Sequence, residues 1–272
     1  MPQTLAQIKD MLASRGLSPR KRFGQNFLVD QNLVRKLVDE SGVEAGEVVL
    51  EVGPGTGTLT EELLDRGCEV VACELDRGLA DLLCERLGAQ PSFTLIEGDC
   101  LASKRQVAGE IVSVLAARPF VLVANLPYGA ATPLLLALLT EHPACRGMFV
   151  TLQREVGDRL AACAGDKAYG SISVIAQSLA VVRTIAKLPA ECFWPRPEVA
   201  SVMIGIERLP SHSIDDPAGL ATFCQRVFMQ RRKQLGSVLG REIAWPEGIE
   251  PTMRAEQLEP GEIVALWRVV RG

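Results

Sequence analysis

The sequence predicts an α/β protein: a doubly wound, mostly parallel sheet of Rossmann-like type followed by a small all-α C-terminal domain. Three observations carry that expectation. Apolar β-forming runs alternate with helical patterns from residue 48 onward. A glycine-rich turn, Gly53-Pro54-Gly55-Thr56-Gly57, joins the first such run to a helix. The alternation then stops near Leu209-Pro210-Ser211, and nothing after 215 reads as a strand. These patterns place an N-terminal α/β domain at 1–210 and a small helical one at 211–272, with a junction near 208–214.

In chain order, residues 4–15 read as a short amphipathic helix closed by Gly16 and Pro19. A basic, aromatic and amide-rich stretch follows, Lys21-Arg22-Phe23-Gly24-Gln25-Asn26-Phe27-Leu28, and then a helix over 30–41 capped by Asp30 and stopped by Gly42. Strand–helix pairs are expected at 48–52 and 58–66, 69–74 and 77–87, 93–97 and 104–116, 119–124 and 132–141, and 147–152 and 153–163. A helix over 171–179 leads to strands at 181–187 and 199–207, read as a hairpin added at the sheet edge. The C-terminal helices are expected near 216–229, 231–240, 253–258 and 260–270.

Composition narrows the function classes. Of 272 residues, 47% are hydrophobic and 23% charged, the balance of a globular protein with a real core. No apolar run reaches membrane-span length, and the N-terminus lacks a charged start followed by an apolar stretch. A cytoplasmic protein is expected, without membrane association. Eight cysteines include no C-x-x-C pair and only two histidines are present, so no metal is expected and the thiols read as reduced core residues. The net charge of −4 conceals an uneven distribution: residues 1–22 carry +4 and residues 226–241 carry +5, leaving −13 on the rest. Two basic patches on an acidic body point to a defined polyanion site.

The glycine turn holds a nucleotide-like ligand in most folds of this kind, because glycines allow close backbone approach and the following helix offers free N–H groups. Its pattern, Glu51-x-Gly53-x-Gly55-x-Gly57, differs from the dinucleotide fingerprint, whose third glycine comes three residues after the second. Glu74 ends the second strand, placed to accept from ribose hydroxyls, and Asp99 ends the third, placed to accept from an adenine amine. One acid per successive strand end suits an adenosine ligand lying across the carboxyl edge, and suits S-adenosyl-L-methionine better than NAD. The fold expected is therefore the class I S-adenosylmethionine-dependent methyltransferase sheet.

Asn125-Leu126-Pro127-Tyr128 closes the fourth strand. The Asn125 side-chain oxygen and the Leu126 carbonyl, stiffened by Pro127, can accept both protons of an exocyclic amine. That favours a pyramidal nitrogen with its lone pair aimed at a methyl donor. Tyr128 can stack on the base, and Phe193 in Phe193-Trp194-Pro195-Arg196-Pro197 offers a second aromatic face, with Trp194 as the alternative.

Together these segments resemble the ribosomal RNA adenine N6-dimethyltransferase family, in its bacterial small-subunit branch (KsgA/RsmA). The resemblance runs nearly end to end. It includes Phe23-Gly24-Gln25-Asn26-Phe27-Leu28, the glycine turn, Cys73-Glu74-Leu75-Asp76, Glu97-Gly98-Asp99 and Asn125-Leu126-Pro127-Tyr128. It continues through Gln153-Arg154-Glu155-Val156, Tyr169-Gly170-Ser171-Ile172-Ser173-Val174, the Phe193 turn and Gln230-Arg231-Arg232-Lys233. The family implies that Asn26, Leu28, Gly53, Glu74, Asp99 and Asn125 line the cofactor pocket, with Gly55 in the turn beside them. It implies dimethylation of two adjacent adenosines near the 3′ end of 16S rRNA in an immature 30S subunit, by a monomer. Arg231, Arg232 and Lys233 are expected to grip phosphates, as are Arg20, Lys21 and Arg22. One departure is Gly129, where the family usually has Asn. Competing readings are a 23S rRNA adenine methyltransferase of the macrolide-resistance type and a non-catalytic ribosome assembly factor. A nicotinamide oxidoreductase fails on the glycine spacing.

Overall fold

The structure, a computed structural model, describes residues 3–103, 106–210 and 214–272, with the Lys21 side chain outside that description. Helix α1 (Leu5–Ala13) starts at Thr4, which exchanges reciprocal capping bonds with Gln7. A 3-10 turn, Lys21–Phe23, leads to the short strand β1 (Phe27–Leu28) and to α2 (Gln31–Ser41), capped by the Asp30 carboxylate. The alternating region then runs β2 (Val48–Val52), α3 (Thr58–Asp65), β3 (Glu69–Glu74), α4 (Arg77–Leu87) and β4 (Phe93–Glu97). Two short paired strands follow, β5 (Leu101–Ser103) and β6 (Gln106–Val107), before α5 (Gly109–Leu115). The beginning of the helix expected over 104–116 lies outside the described residues. Next come β7 (Phe120–Asn125), α6 (Ala131–Glu141), β8 (Cys145–Gln153), α7 (Arg154–Ala161) and α8 (Ser171–Leu179). The chain continues with β9 (Ala180–Leu188), β10 (Phe193–Trp194), β11 (Ser201–Arg208), α9 (Pro217–Phe228), α10 (Leu235–Leu239) and α11 (Pro260–Arg271).

Seven strands form one sheet in the order β4-β3-β2-β7-β8-β11-β9. Strands β4 to β8 of that order are parallel, and β11 is antiparallel to both of its neighbours. The edge hairpin exists, but the later strand lies inside the earlier one. Burial accounts for the order: the Ser201–Ile206 run of β11 is buried throughout, whereas β9 carries Arg183, Thr184 and Lys187 along a half-exposed edge. The connection order reverses between β2 and β7, and ligands bind such sheets at the crevice this leaves at the carboxyl ends.

Alternate residues of each strand feed two apolar layers. Leu50, Val52 and Leu122 face one cluster, and Val49, Val121 and Val123 face the other, where α1, α2 and α4 cover the sheet. The C-terminal helices join the first layer: Leu220, Phe223, Ile263 and Trp267 pack in the same cluster as the α6 and α8 leucines. The Tyr169 hydroxyl donates to the Leu258 carbonyl at 2.8 Å and pins this region to the loop before α8. The expected helix over 231–240 is shorter, because Gln234 pairs with Arg254 in an isolated bridge and the helix begins only at Leu235. The expected domain junction at 211 lies outside the described residues.

Candidate active site

The glycine turn after β2 requires glycine twice over. Gly53 and Gly55 have φ of +70° and +63°. A Cβ at Gly53 would lie 3.3 Å from the Pro127 ring, and one at Gly55 would lie 2.8 Å from the Phe27 ring. The turn therefore meets the Asn125-Leu126-Pro127-Tyr128 loop on one side and β1 on the other. Behind it, buried Glu51 accepts a hydrogen bond from the Thr60 hydroxyl at 2.7 Å, and burial pushes its carboxyl up to about 8.

Glu74, at the end of β3, is aimed at the turn. One carboxyl oxygen accepts the Gly55 N–H at 3.1 Å and the other the Asp76 N–H at 2.9 Å. Each oxygen keeps a lone pair for a further donor. Burial raises this carboxyl to about 7, against the opposing pull of those backbone bonds. Asp99 follows β4, exposed, with one oxygen accepting the Leu101 N–H at 2.9 Å.

Asn125 is the last residue of β7. Its Nδ2 donates to the Asn26 carbonyl at 2.7 Å, and its Oδ1 accepts the Thr151 hydroxyl. The next residue, Leu126, donates its N–H to the Thr151 carbonyl at 3.1 Å. The Tyr128 hydroxyl bonds Ser201 at 2.9 Å, and burial raises its pKa. A Cβ at Gly129 meets nothing within 4 Å, so packing does not require glycine there.

A cleft of about 700 Å³ brings together Asn26, Gly53, Gly55, Glu74, Asp99, Asn125, Leu126 and Tyr128. Phe23, Gln25 and Leu75 line it as well and had no role in the sequence-based expectation. Leu75 stands 49% exposed directly after Glu74, and an apolar residue beside a strand-end acid is the signal that could have marked it. The segment 20–27 is fastened over the cleft through the buried Asp76 carboxylate, which accepts from Gln25 at 3.1 Å and pairs with Arg20 at 3.2 Å.

Two expected site residues lie outside the cleft. Leu28 borders a smaller cavity with Glu51, Gly53 and Asn125 on the far side of the turn. Phe193 is 3% exposed and sits in the apolar layer, paired in register with Leu28 while Trp194 pairs with Phe27. The Trp194 ring stacks on Phe27 with centroids 6.2 Å apart, beneath the Lys9 ammonium.

The basic residues divide into two groups. Arg20 is engaged by Asp76, and Arg231 pairs with Glu256 at 2.8 Å while donating to the Lys167 and Tyr169 carbonyls. Arg22 lies over the Phe23 ring at 4.6 Å, and Arg22, Arg232 and Lys233 are exposed. The Lys21 side chain lies outside the described residues.

The arrangement fits an adenosine-containing cofactor: a glycine turn lining the cleft, and acids at two neighbouring strand ends. Residues 16–270 match the model of the family described as ribosomal RNA adenine dimethylase. A curated relative named ribosomal RNA small subunit methyltransferase A, from Leifsonia xyli subsp. xyli (strain CTCB07), is 41% identical and covers 96% of both chains. One of the same name from Phenylobacterium zucineum (strain HLK1) is 38% identical over 97% of this chain and 92% of its own. Among solved structures, a dimethyladenosine transferase from Plasmodium falciparum superposes with a TM-score of 0.72 at 19% identity, covering 88% of this chain and 95% of that one. The 23S rRNA methyltransferase ErmE gives 0.69 at 22% identity, over 91% of this chain and 100% of that one. These likenesses identify the fold as the Rossmann-like class I methyltransferase sheet that the sequence predicts. With nearly the whole chain matched by the family model and by relatives well above 30% identity, the chain belongs to the ribosomal RNA adenine dimethylase family.

Proposed function

We propose that the protein dimethylates N6 of two adjacent adenosines near the 3′ end of 16S rRNA, within the assembling 30S subunit, using S-adenosyl-L-methionine. The observation that carries this reading is the meeting of Asn125, Leu126 and Tyr128 with Gly53, Gly55, Glu74 and Asp99 in one cleft. Amine acceptors and an adenosine cradle share a wall, so a target amine can reach the cofactor side without crossing bulk solvent. The name carried by the curated relatives supports the small-subunit RNA over 23S rRNA.

The cofactor supplies an electrophilic methyl group on a sulfonium. The chain's own contribution is orientation. Glu74 offers its remaining lone pairs to ribose hydroxyls, and Asp99 accepts from the adenine amine. Gly53 and Gly55 let the backbone approach closely, and Asn26 lines the same cleft, while Leu28 acts from the adjoining smaller cavity. Asn125 Oδ1 and the Leu126 carbonyl accept the two N6 protons of the target base, and Tyr128 stacks on its ring. The attacked nitrogen becomes acidic once alkylated and releases its proton to water, so no general base is required. The proposed second aromatic face lies in the Phe193–Trp194 turn, where Phe193 is buried and Trp194 is partly exposed. Exposed Arg22, Arg232 and Lys233, with Lys21, grip phosphates, while Arg20 and Arg231, engaged by Asp76 and Glu256, would have to exchange those partners to join them. The protein acts as a cytoplasmic monomer, with residues 211–272 as its helical RNA-facing domain. No helix among the described residues is long and apolar enough to cross a membrane.

The test is mass spectrometry of rRNA from undermethylated small subunits and, in a parallel reaction, large subunits, each incubated with the protein and labelled S-adenosyl-L-methionine. Dimethyladenosine at two adjacent positions near the 3′ end of 16S rRNA is expected. Label confined to 23S rRNA, or absent from both, overturns the reading.

A further inference from the structure

The Asn125 carboxamide is held at both ends, and one of its holders belongs to none of the motifs that mark the site. Thr151 lies opposite Asn125 in the parallel β7–β8 ladder and is 1% exposed. Its hydroxyl donates to Asn125 Oδ1, and its carbonyl accepts the Leu126 N–H at 3.1 Å. At the other end of the amide, the Asn26 carbonyl receives Nδ2–H at 2.7 Å. A carbonyl can only accept, so Asn26 decides which end of the carboxamide is nitrogen. The Thr151 hydroxyl then decides where the oxygen points. It occupies one of the two Oδ1 lone pairs and leaves the other for a donor in the cleft that Asn125 lines.

We infer that Thr151 is a positioning residue for methyl transfer, aiming the Asn125 oxygen and, through its main chain, the loop that bears the Leu126 carbonyl. The inference rests on the reading of Asn125 and Leu126 as the acceptors of the amine protons. Both acceptors then take their bearings from one position on the neighbouring strand. A β-branched residue suits this task, because its χ1 is stiff and the hydroxyl cannot wander far from the bond it makes. Thr151 is itself buried, so solvent has little access to its hydroxyl, and a small misalignment of an acceptor at a reacting centre costs far more in rate than in binding.

The hydroxyl can be isolated by three variants, Thr151→Val, Thr151→Ala and Thr151→Ser. Each is assayed as the full chain, for single-turnover transfer of labelled methyl to undermethylated small subunits, for cofactor affinity by calorimetry, and for thermal unfolding. T151V should transfer about tenfold more slowly, equivalent to about 1.4 kcal/mol in the barrier, with cofactor affinity within about twofold of wild type. T151S should recover at least half of the wild-type rate. If T151V folds poorly, the ratio of T151S to T151A carries the same comparison, and it should be about tenfold. Rates for T151V or T151A equal to that of T151S overturn the inference, because the hydroxyl then does nothing. A loss of rate that tracks loss of cofactor affinity and melting temperature also overturns it, in favour of a purely structural residue. A wild-type chain that binds cofactor yet transfers no label to rRNA sinks the underlying reading, and the inference with it.

Discussion

Replacing Glu51 by Gln should remove the pH dependence that this buried carboxyl gives the core beneath the glycine turn. Glu51 is 1% exposed, and its carboxyl is raised from 4.5 to about 8, first by burial and then by the charge of Glu74. The bond from Thr60 at 2.7 Å works in the opposite direction without overcoming burial. Glu74, itself raised to about 7, adds to the shift through its charge. The folded state holds a proton on Glu51 that the unfolded state gives up near 4.5. Stability from this group is thus fully present below 4.5 and is lost as pH rises through 8. The slope in that window is at most about 1.4 kcal/mol per pH unit. Glutamine keeps an acceptor for Thr60 and has no proton to lose. Between pH 6 and 8, E51Q should therefore gain on wild type by about 2–3 kcal/mol, or roughly 5–10 °C in melting temperature. Parallel thermal melts of the two proteins across that range measure the difference directly. A difference that does not change with pH, or one that moves against E51Q, refutes the buried, protonated carboxyl.

Three further outcomes follow from the site. Asn125→Ala should reduce methyl transfer by at least about a hundredfold while weakening cofactor binding less than tenfold, measured by label transfer and calorimetry; near-normal turnover would remove Asn125 from the chemistry. Glu74 is charged above about 7, so cofactor affinity should fall as pH drops below 7 in wild type and stay flat in Glu74→Gln; titrations at pH 6 and 8 separate the two. Gly55→Ala places a side chain at φ +63° and 2.8 Å from the Phe27 ring, so it should cost at least about 1–2 kcal/mol of stability and most cofactor binding.

The parts of the site made by local sequence were legible, and those made by long-range pairing were not. Glu74, Asp99 and Asn125 end successive apolar runs, so their place on the carboxyl edge follows from strand length alone. The positive φ of Gly53 and Gly55 was implied by a strand–turn–helix junction with alternating glycines. The pairing of β1 with β10 has no such signature, because each strand is two residues long and its partner lies far along the chain. Charge counting read Arg20 and Arg231 as available for phosphate, yet both have acidic partners distant in sequence, Asp76 and Glu256. The order of β9 and β11 escaped for a different reason. A hairpin reads the same from either side, and only the charges on β9 distinguish its edge position.

The β1–β10 ladder also bears on how the protein acquires its activity during synthesis. Asn26, which fixes the Asn125 amide, directly precedes a strand whose only ladder partner among the described residues is Phe193–Trp194. A ribosome-bound chain that has emerged only as far as α8 contains the glycine turn and both strand-end acids but lacks β9, β10 and β11, so neither the sheet nor the strand pairing beside Asn26 is complete. Closing so long a loop is entropically slow. Partly made chains should therefore neither capture the cofactor nor modify RNA, and methylation competence should switch on late, once the Phe193–Trp194 turn has closed against the beginning of the chain.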